Sequence, residues 1–217
     1  MKSEENYIRG SSLVNRLIAI QKLLENKKER KRILDVGCGT GVIGATLLKN
    51  NRCEVYGLDK DEKALRIAAK RGLLVKRLDI EKENFPYPSE FFNVVIFSEV
   101  IEHIIEYHHV LDEIYRVLEK NGVLILSTPN LSSGLNILNI IAGEDVIPIY
   151  DRECEDKHLR LFSPKSIRTL LTVHGFKIDK VNYINYPPTS YLGLLYKFLC
   201  LILPRLGAFI MIKAYKT

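Results

Sequence analysis

Three carboxylates and a run of alternating glycines mark where this 217-residue chain can do chemistry. Asp35 stands two residues before Gly37-Cys38-Gly39-Thr40-Gly41. Alternating glycines let a backbone turn tightly, approach a ligand closely and present amide donors at a helix start. An acid just ahead of such a loop can reach a ligand ammonium group, directly or through water, and would repel a pyrophosphate. Asp59, followed by Lys60, can accept both hydroxyls of a ribose in a bidentate arrangement. Asp79 can accept from an adenine amino group, with Ile80 offering backbone and apolar contact to the ring. The alternative for any single acid is a surface residue capping the next helix; Asp61 is assigned that role, Asp59 and Asp79 the ligand role. The ordered set says more than any member.

A competing reading comes from the same loop. Gly39-Thr-Gly-Val-Ile-Gly44 matches the GxGxxG of a dinucleotide site, as in an NAD-dependent oxidoreductase. Three features oppose it. Asp35 sits inside the preceding strand, the literal GxGxxG begins late for the tight first turn, and an NAD site does not require the acid at Asp79.

These residues act together only if secondary structure brings them to one edge. Short apolar runs at 33–36, 54–58, 73–78, 91–97 and 123–128 read as strands, and 41–49, 61–71 and 107–119 as the helices between them. Such alternation is the pattern of βαβ units on a parallel sheet, with right-handed crossovers placing helices on both faces. Ligands then bind beyond the carboxyl ends of the strands, so the functional residues are those directly after each strand. Leu13, Leu17, Ile20 and Leu24 predict an amphipathic N-terminal helix over about 5–26. An irregular insertion at 130–162 carries an apolar stretch at 135–142, and a second at 186–204 carries one at 191–203. Ser163-Pro164 opens a helix that runs to about His174 and is closed by Gly175. Strands at 176–184 and 207–215 complete one domain over 1–217.

Ile33-Leu-Asp-Val-Gly-Cys-Gly-Thr-Gly41 resembles motif I of class I S-adenosylmethionine-dependent methyltransferases, and Tyr56-Gly-Leu-Asp-Lys-Asp61 resembles their second motif. Phe92-Asn-Val-Val-Ile-Phe-Ser-Glu-Val-Ile-Glu-His-Ile104 is similar to the fourth-strand motif of a subgroup that includes ubiquinone-biosynthesis-type small-molecule methyltransferases. Gly122-Val-Leu-Ile-Leu-Ser-Thr-Pro-Asn130 and His158-Leu-Arg-Leu-Phe-Ser-Pro164 are similar to that subgroup too. The resemblance covers roughly residues 30–184. It implies a Rossmann-like α/β fold: a seven-stranded, mostly parallel sheet of order 3-2-1-4-5-7-6, strand seven antiparallel, with helices on both faces. It implies S-adenosyl-L-methionine as cofactor. Gly37, Gly39 and Gly41 would line its methionine part, Asp59 would hold the ribose, and Asp79 and Ile80 the adenine, with Asp35, Cys38 and Lys60 completing the cofactor-binding set. Ser98 and Glu99 would lie near the transferring methyl. Asn93 replaces the family's usual Asp at the start of strand four, at the end that points away from the site.

Methyl transfer from a sulfonium is an in-line displacement, so the protein mainly aligns the acceptor and excludes water. A general base is needed only where the acceptor is protonated at working pH. His158 and Glu99 are the candidate catalytic residues, with Tyr107 behind them. His103 reads as structural, and His108 and His109 as solvated. Arg160, beside His158, can pair with an acidic substrate. A module that binds the cofactor without turning over is the remaining alternative.

Composition narrows the partners. The net charge is +6, yet the basic cluster Lys27, Lys28, Arg30, Lys31, Arg32 has no interleaved aromatics and reads as a solvated helix end. Ser98-Glu99-Val100 is not the Asn/Asp-Pro-Pro-aromatic type of base-amine methylation, so a small-molecule acceptor and no nucleic acid are expected. The apolar stretches at 135–142 and 191–203 are core and lid packing, or else a hydrophobic mouth for a lipid-like acceptor that also rests on an anionic membrane face. Cys38, Cys53, Cys154 and Cys200 lack CxxC spacing, so no metal is expected and a reducing cytoplasm fits. The first residues are polar and acidic, unlike a signal peptide, and no stretch reaches the roughly 18 apolar residues that span a bilayer.

Overall fold

A computed structural model describes residues 12–24, 31–50, 53–146, 158–185 and 191–217. The expected positions 5–11 and 25–26 of the N-terminal helix, Lys27, Lys28 and Arg30, Cys154, and 147–157 and 186–190 of the two insertions lie outside the described residues. The order along the chain is α1 (Ser12–Leu24), β1 (Lys31–Val36), α2 (Val42–Asn50), β2 (Cys53–Asp59), α3 (Glu62–Lys70), β3 (Leu74–Arg77), β4 (Phe92–Ser98), a 3-10 turn (Ile101–His103) and α4 (Tyr107–Val117). Then follow β5 (Leu118–Pro129), α5 (Gly134–Ala142), α6 (Pro164–Val173), β6 (Phe176–Ile184), α7 (Tyr191–Ile202), a second 3-10 turn (Pro204–Leu206) and β7 (Phe209–Lys216).

The strands form one seven-stranded sheet in the order β3-β2-β1-β4-β5-β7-β6. Pairing is parallel from β3 to β5, while β7 runs antiparallel to both β5 and β6. The near-continuous apolar runs of the central strands follow from burial on both faces. Alternate side chains enter different cores. Leu34, Val36, Val95, Phe97, Leu124 and Leu126 face α4 and α6 through Val110, Ile114, Ile167 and Leu171. Ile33, Val94, Ile96, Ile125 and Met211 face the other way, with Ile20 of α1, Leu47 of α2 and Leu65 of α3.

Local chemistry sets the boundaries. Asp61 caps α3 by accepting from Lys63 N (2.7 Å) and Ala64 N (3.3 Å). Ser163 and Ser166 form a reciprocal capping box at the start of α6, with Pro164 in its first turn. Helix α4 stops two residues earlier than its periodicity predicts. Leu118, counted there as part of the helical stripe, is already extended and pairs with Phe92, so β5 begins at Leu118 rather than 123. Both apolar stretches in the insertions are helices, α5 and α7. They meet where a Cβ on Gly134 would lie 2.8 Å from Tyr196 Cε2. Tyr196 OH also donates to Leu206 O, which ties α7 to the turn before β7.

Candidate active site

The carboxyl ends of β1, β2, β4 and β5 share one edge, and the chemistry-bearing residues gather there in three groups. The first surrounds the loop after β1. Gly37 N and Cys38 N both donate to Leu58 O, at 2.8 and 3.0 Å, lashing the loop to the end of β2. Gly37, Gly39 and Gly41 have φ of 71°, 50° and 75°, a conformation that costs other residues roughly 1–2 kcal/mol. Packing explains two of them. A Cβ on Gly37 would sit 2.5 Å from Val100 Cγ2, and one on Gly41 2.8 Å from Ala68 Cβ. A Cβ on Gly39 would meet nothing within 4 Å. Its backbone therefore borders open space, as a ligand cradle requires.

Asp59 braces this cradle. Its Oδ2 accepts from Gly39 N at 2.7 Å and its Oδ1 from Asp61 N at 2.9 Å. Each oxygen keeps a lone pair for a hydroxyl. Asp35, 2% exposed, accepts from the Gly44 amide and leaves its Oδ2 without a hydrogen-bond partner. Burial, with the Asp59 charge added, pushes its carboxyl up to about 7. Cys38 is buried and fills the place a Cβ on Gly57 would take, 2.7 Å from its Sγ; burial and the two nearby aspartates raise its thiol.

Asp79 and Lys60 lie at the margin of this group. The Asp79 carboxylate is engaged in its own turn: Oδ2 meets Lys82 Nζ at 2.9 Å and Oδ1 accepts from Glu81 N at 3.3 Å. The hydrogen bond from Lys82 holds it below the usual carboxylate range. Ile80 beside it is buried, while Lys60 is exposed and its carbonyl accepts from Arg77 Nε at 3.2 Å.

The second group follows β4. Glu99 has φ 58°, a left-handed conformation uncommon outside glycine, and this turns its side chain back over the strand ends. Ser127 Oγ donates to Glu99 Oε1 at 2.8 Å, so the 2.7 Å contact between Ser98 and Ser127 has Ser98 as donor. Arg16 Nη1, from α1, lies 3.4 Å from the same Glu99 oxygen. Burial raises the Glu99 carboxyl, while Arg16 and Ser127 oppose the rise. Asn15, the neighbour of Arg16, donates to Asn185 O at 2.9 Å. Helix α1 thereby roofs the carboxyl edge, and Arg16 belongs to the site. Its signal in the sequence was weak: one of two cations, with Lys22, on an amphipathic helix.

The third group holds His158. Its ring lies 4.9 Å from that of His103, and Leu159 N donates to Glu102 O at 2.8 Å. This second bond carries the 158–162 segment over the end of β4. Glu102 is fully buried; its Oε2 accepts from Thr128 Oγ1 at 3.1 Å, while its Oε1 is unpartnered by hydrogen bonds and lies 4.0 Å from His103 Nε2. Burial and the Glu99 charge push the Glu102 carboxyl up to about 8. Among the described residues, Glu102, His103 and His158 each bring a donor atom within 4.8 Å of the others. The cysteine spacing on which no metal was expected does not bear on this set, which the fold creates from two distant segments. Arg160 points elsewhere, with its guanidinium 4.5 Å from the centre of the Tyr107 ring. His108 is not merely solvated: its Nδ1 lies 2.9 Å from His174 Nε2. Glu102 and Thr128 were missed as site residues because, read singly, each looks like ordinary packing at a strand end.

A methyltransferase-domain family model matches residues 13–181. The chain is 24% identical over 178 residues to a ubiquinone biosynthesis O-methyltransferase of Psychrobacter arcticus, covering 78% of this chain and 68% of that one. It is 27% identical over 167 residues to the mitochondrial ubiquinone biosynthesis O-methyltransferase of Rattus norvegicus, covering 73% of this chain but 48% of that one. The chain thus spans between about half and about two thirds of the length of such relatives. A SAM-dependent methyltransferase from Thermotoga maritima shares its fold, with a TM-score of 0.71 at 22% identity over 100% of this chain and 96% of that one.

Proposed function

The chain belongs to the methyltransferase-domain family, whose cofactor is S-adenosylmethionine, and we propose that it transfers the cofactor's methyl group to a small, lipid-like acceptor. The residues after β1 and β2 fit that cofactor. The open cradle at Gly39, the remaining lone pairs of Asp59 and the unpartnered Oδ2 of Asp35 suit a ligand carrying a ribose and an ammonium group. One observation carries this reading above all. Asp35 is a buried carboxylate with a free oxygen at the carboxyl end of β1, where a pyrophosphate would be repelled. The cofactor supplies an activated methyl. The protein's own residues hold it, orient the acceptor and take up a proton.

Helix α1, the Glu99–Arg16 contact and the 158–162 segment enclose the acceptor side and exclude water from it. Ser98, Ser127 and Glu99 form a fixed hydrogen-bonded chain at the cofactor-facing edge. Glu102, His103 and His158 are the proton-handling groups. Names of relatives indicate an oxygen nucleophile, and a phenolic hydroxyl with an apolar tail is the acceptor class we assign. The apolar helices α5 and α7 flank the same edge and suit such a tail. We place the protein in the cytoplasm, against a membrane face; among the described residues no helix is long and apolar enough to cross a membrane.

Calorimetry with S-adenosylhomocysteine and with NADH tests the cofactor half, with binding of the first and none of the second expected. For the transfer half, kcat/KM toward a tailed catechol should rise with pH through about 8 as the Glu102 carboxyl loses its proton. Glu102→Gln should lower kcat by about 10²-fold or more and remove that limb. Cofactor binding without turnover on any phenol would leave only a binding module.

A further inference from the structure

We infer that the cleft between α5, α6, β6 and the turn before β7 docks the anionic headgroups of a membrane surface, with α5 and α7 seated in the lipid beside it. This deepens the membrane-facing reading above and rests on it only for the side of the molecule involved.

The cleft has a volume of about 910 Å³. Lys165 and Arg168 enter it from α6 and Arg205 from the turn before β7, with the hydroxyls of Ser132 and Thr169 beside them, while Thr172 donates its own to Arg168 O at 2.9 Å. All three cations are exposed. Elsewhere on the surface, Arg66 and Lys82 each lie within 4.0 Å of a carboxylate. Among the described residues Lys165, Arg168 and Arg205 do not. Three unpaired cations converging with hydroxyl donors form an anion-binding surface.

The apolar half adjoins it. A helix of a soluble domain normally turns its apolar stripe inward, but in α5 the buried residue is Gly134 alone. Leu138 is 61% exposed and Ile141 77%; on α7, Phe198 is 66%, Leu201 70% and Ile202 68% exposed. The helices touch at Gly134 and Tyr196, and each exposes apolar side chains of the kind that marks an interaction site. Ile137 of α5 and Leu206 line the cationic cleft itself, joining the two halves. Apolar side chains next to unpaired cations match an anionic lipid interface. A second copy suits the surface less well, because a twofold contact sets a patch against itself and would oppose like charges.

The test is sedimentation of the full chain with vesicles of phosphatidylcholine, and with vesicles that also contain phosphatidylglycerol. Binding to the anionic vesicles at low salt is expected, weakened by salt and weak on the neutral ones. The double variant Arg168→Glu/Arg205→Glu should lose at least about tenfold in partition, given the strength of single charges at such surfaces. Ile141→Asp/Phe198→Asp should also lose binding. Unchanged S-adenosylhomocysteine affinity shows that these variants are folded. Equal partition onto neutral vesicles, or insensitivity to charge reversal, overturns the proposal. So does a wild type that forms a dimer in solution and ignores lipid, or one that binds an acidic protein but not vesicles. None of these readouts uses methyl transfer, so failure here is distinct from failure of the enzymatic reading.

Discussion

Asp35 carries the most consequential single charge. In the free protein its carboxyl is held near 7 by burial and by Asp59. Its folded pKa exceeds the unfolded one, so Asp35 lowers stability as pH rises from about 4 to about 7. A cofactor ammonium group nearby reverses this preference and expels the proton. S-Adenosylhomocysteine binding should therefore release close to one proton well below pH 7 and little well above it. Calorimetry in buffers of different ionisation enthalpy measures this, and Asp35→Asn should abolish it; wild-type binding without release would remove Asp35 from the site. The glycines divide similarly. Gly39→Ala should fold with a loss of about 1–2 kcal/mol from backbone strain alone, yet weaken S-adenosylhomocysteine by tenfold or more because its methyl fills the cradle. Gly37→Ala should cost more in thermal melting, because it also drives Val100 aside. At this scale the sequence was legible where residues share a loop or stand at successive strand ends: Asp35, the glycines and Asp59 are found together. Arg16, Glu102 and Thr128 were not legible as site residues. Their roles depend on contacts between distant segments, and spacing carries no trace of those.

Among the elements, the loop from β3 to β4 shows how a segment without helix or strand is kept in place. Phe85 N donates to Glu113 Oε2 at 2.6 Å, and Arg116 donates to Phe85 O and Tyr87 O. Arg116 also pairs with Glu113 at 2.7 Å. Two residues of α4 thus clamp the loop that leads from Asp79 and Ile80 to β4. Arg116→Ala should leave the carboxylate and two carbonyls short of partners, costing about 2 kcal/mol by urea unfolding. Arg116 holds the Glu113 carboxyl below its usual range. That contribution is present above the ordinary carboxylate range and is lost as pH falls from there through the lowered folded value. An unchanged midpoint would mean the loop is held by its aromatic contacts alone. The periodicity that predicted α4 could not reveal the clamp, since it reports which face is buried and not which loop lies on it. It also overran the helix end, because Leu118 is apolar in either conformation and only its pairing with Phe92 decides the matter.

The molecule as a whole assembles two cores on opposite faces of one sheet, and the apolar strand runs announced that arrangement plainly. Strand order was legible only through the family resemblance, because no local pattern says that β7 inserts between β5 and β6. That insertion has a further consequence for biosynthesis. Strand β7 pairs with β5 on one side and β6 on the other, and Phe209, Ile210, Met211, Ile212 and Ala214 are all buried. A nascent chain emerging at about 5–20 residues per second has β5 and β6 outside the ribosome well before the strand that must join them. During that interval both carry open hydrogen-bonding edges, the condition under which strands recruit other chains. The interval between the emergence of β6 and that of β7 is therefore a period of high aggregation risk for this fold, when a chaperone has much to shield.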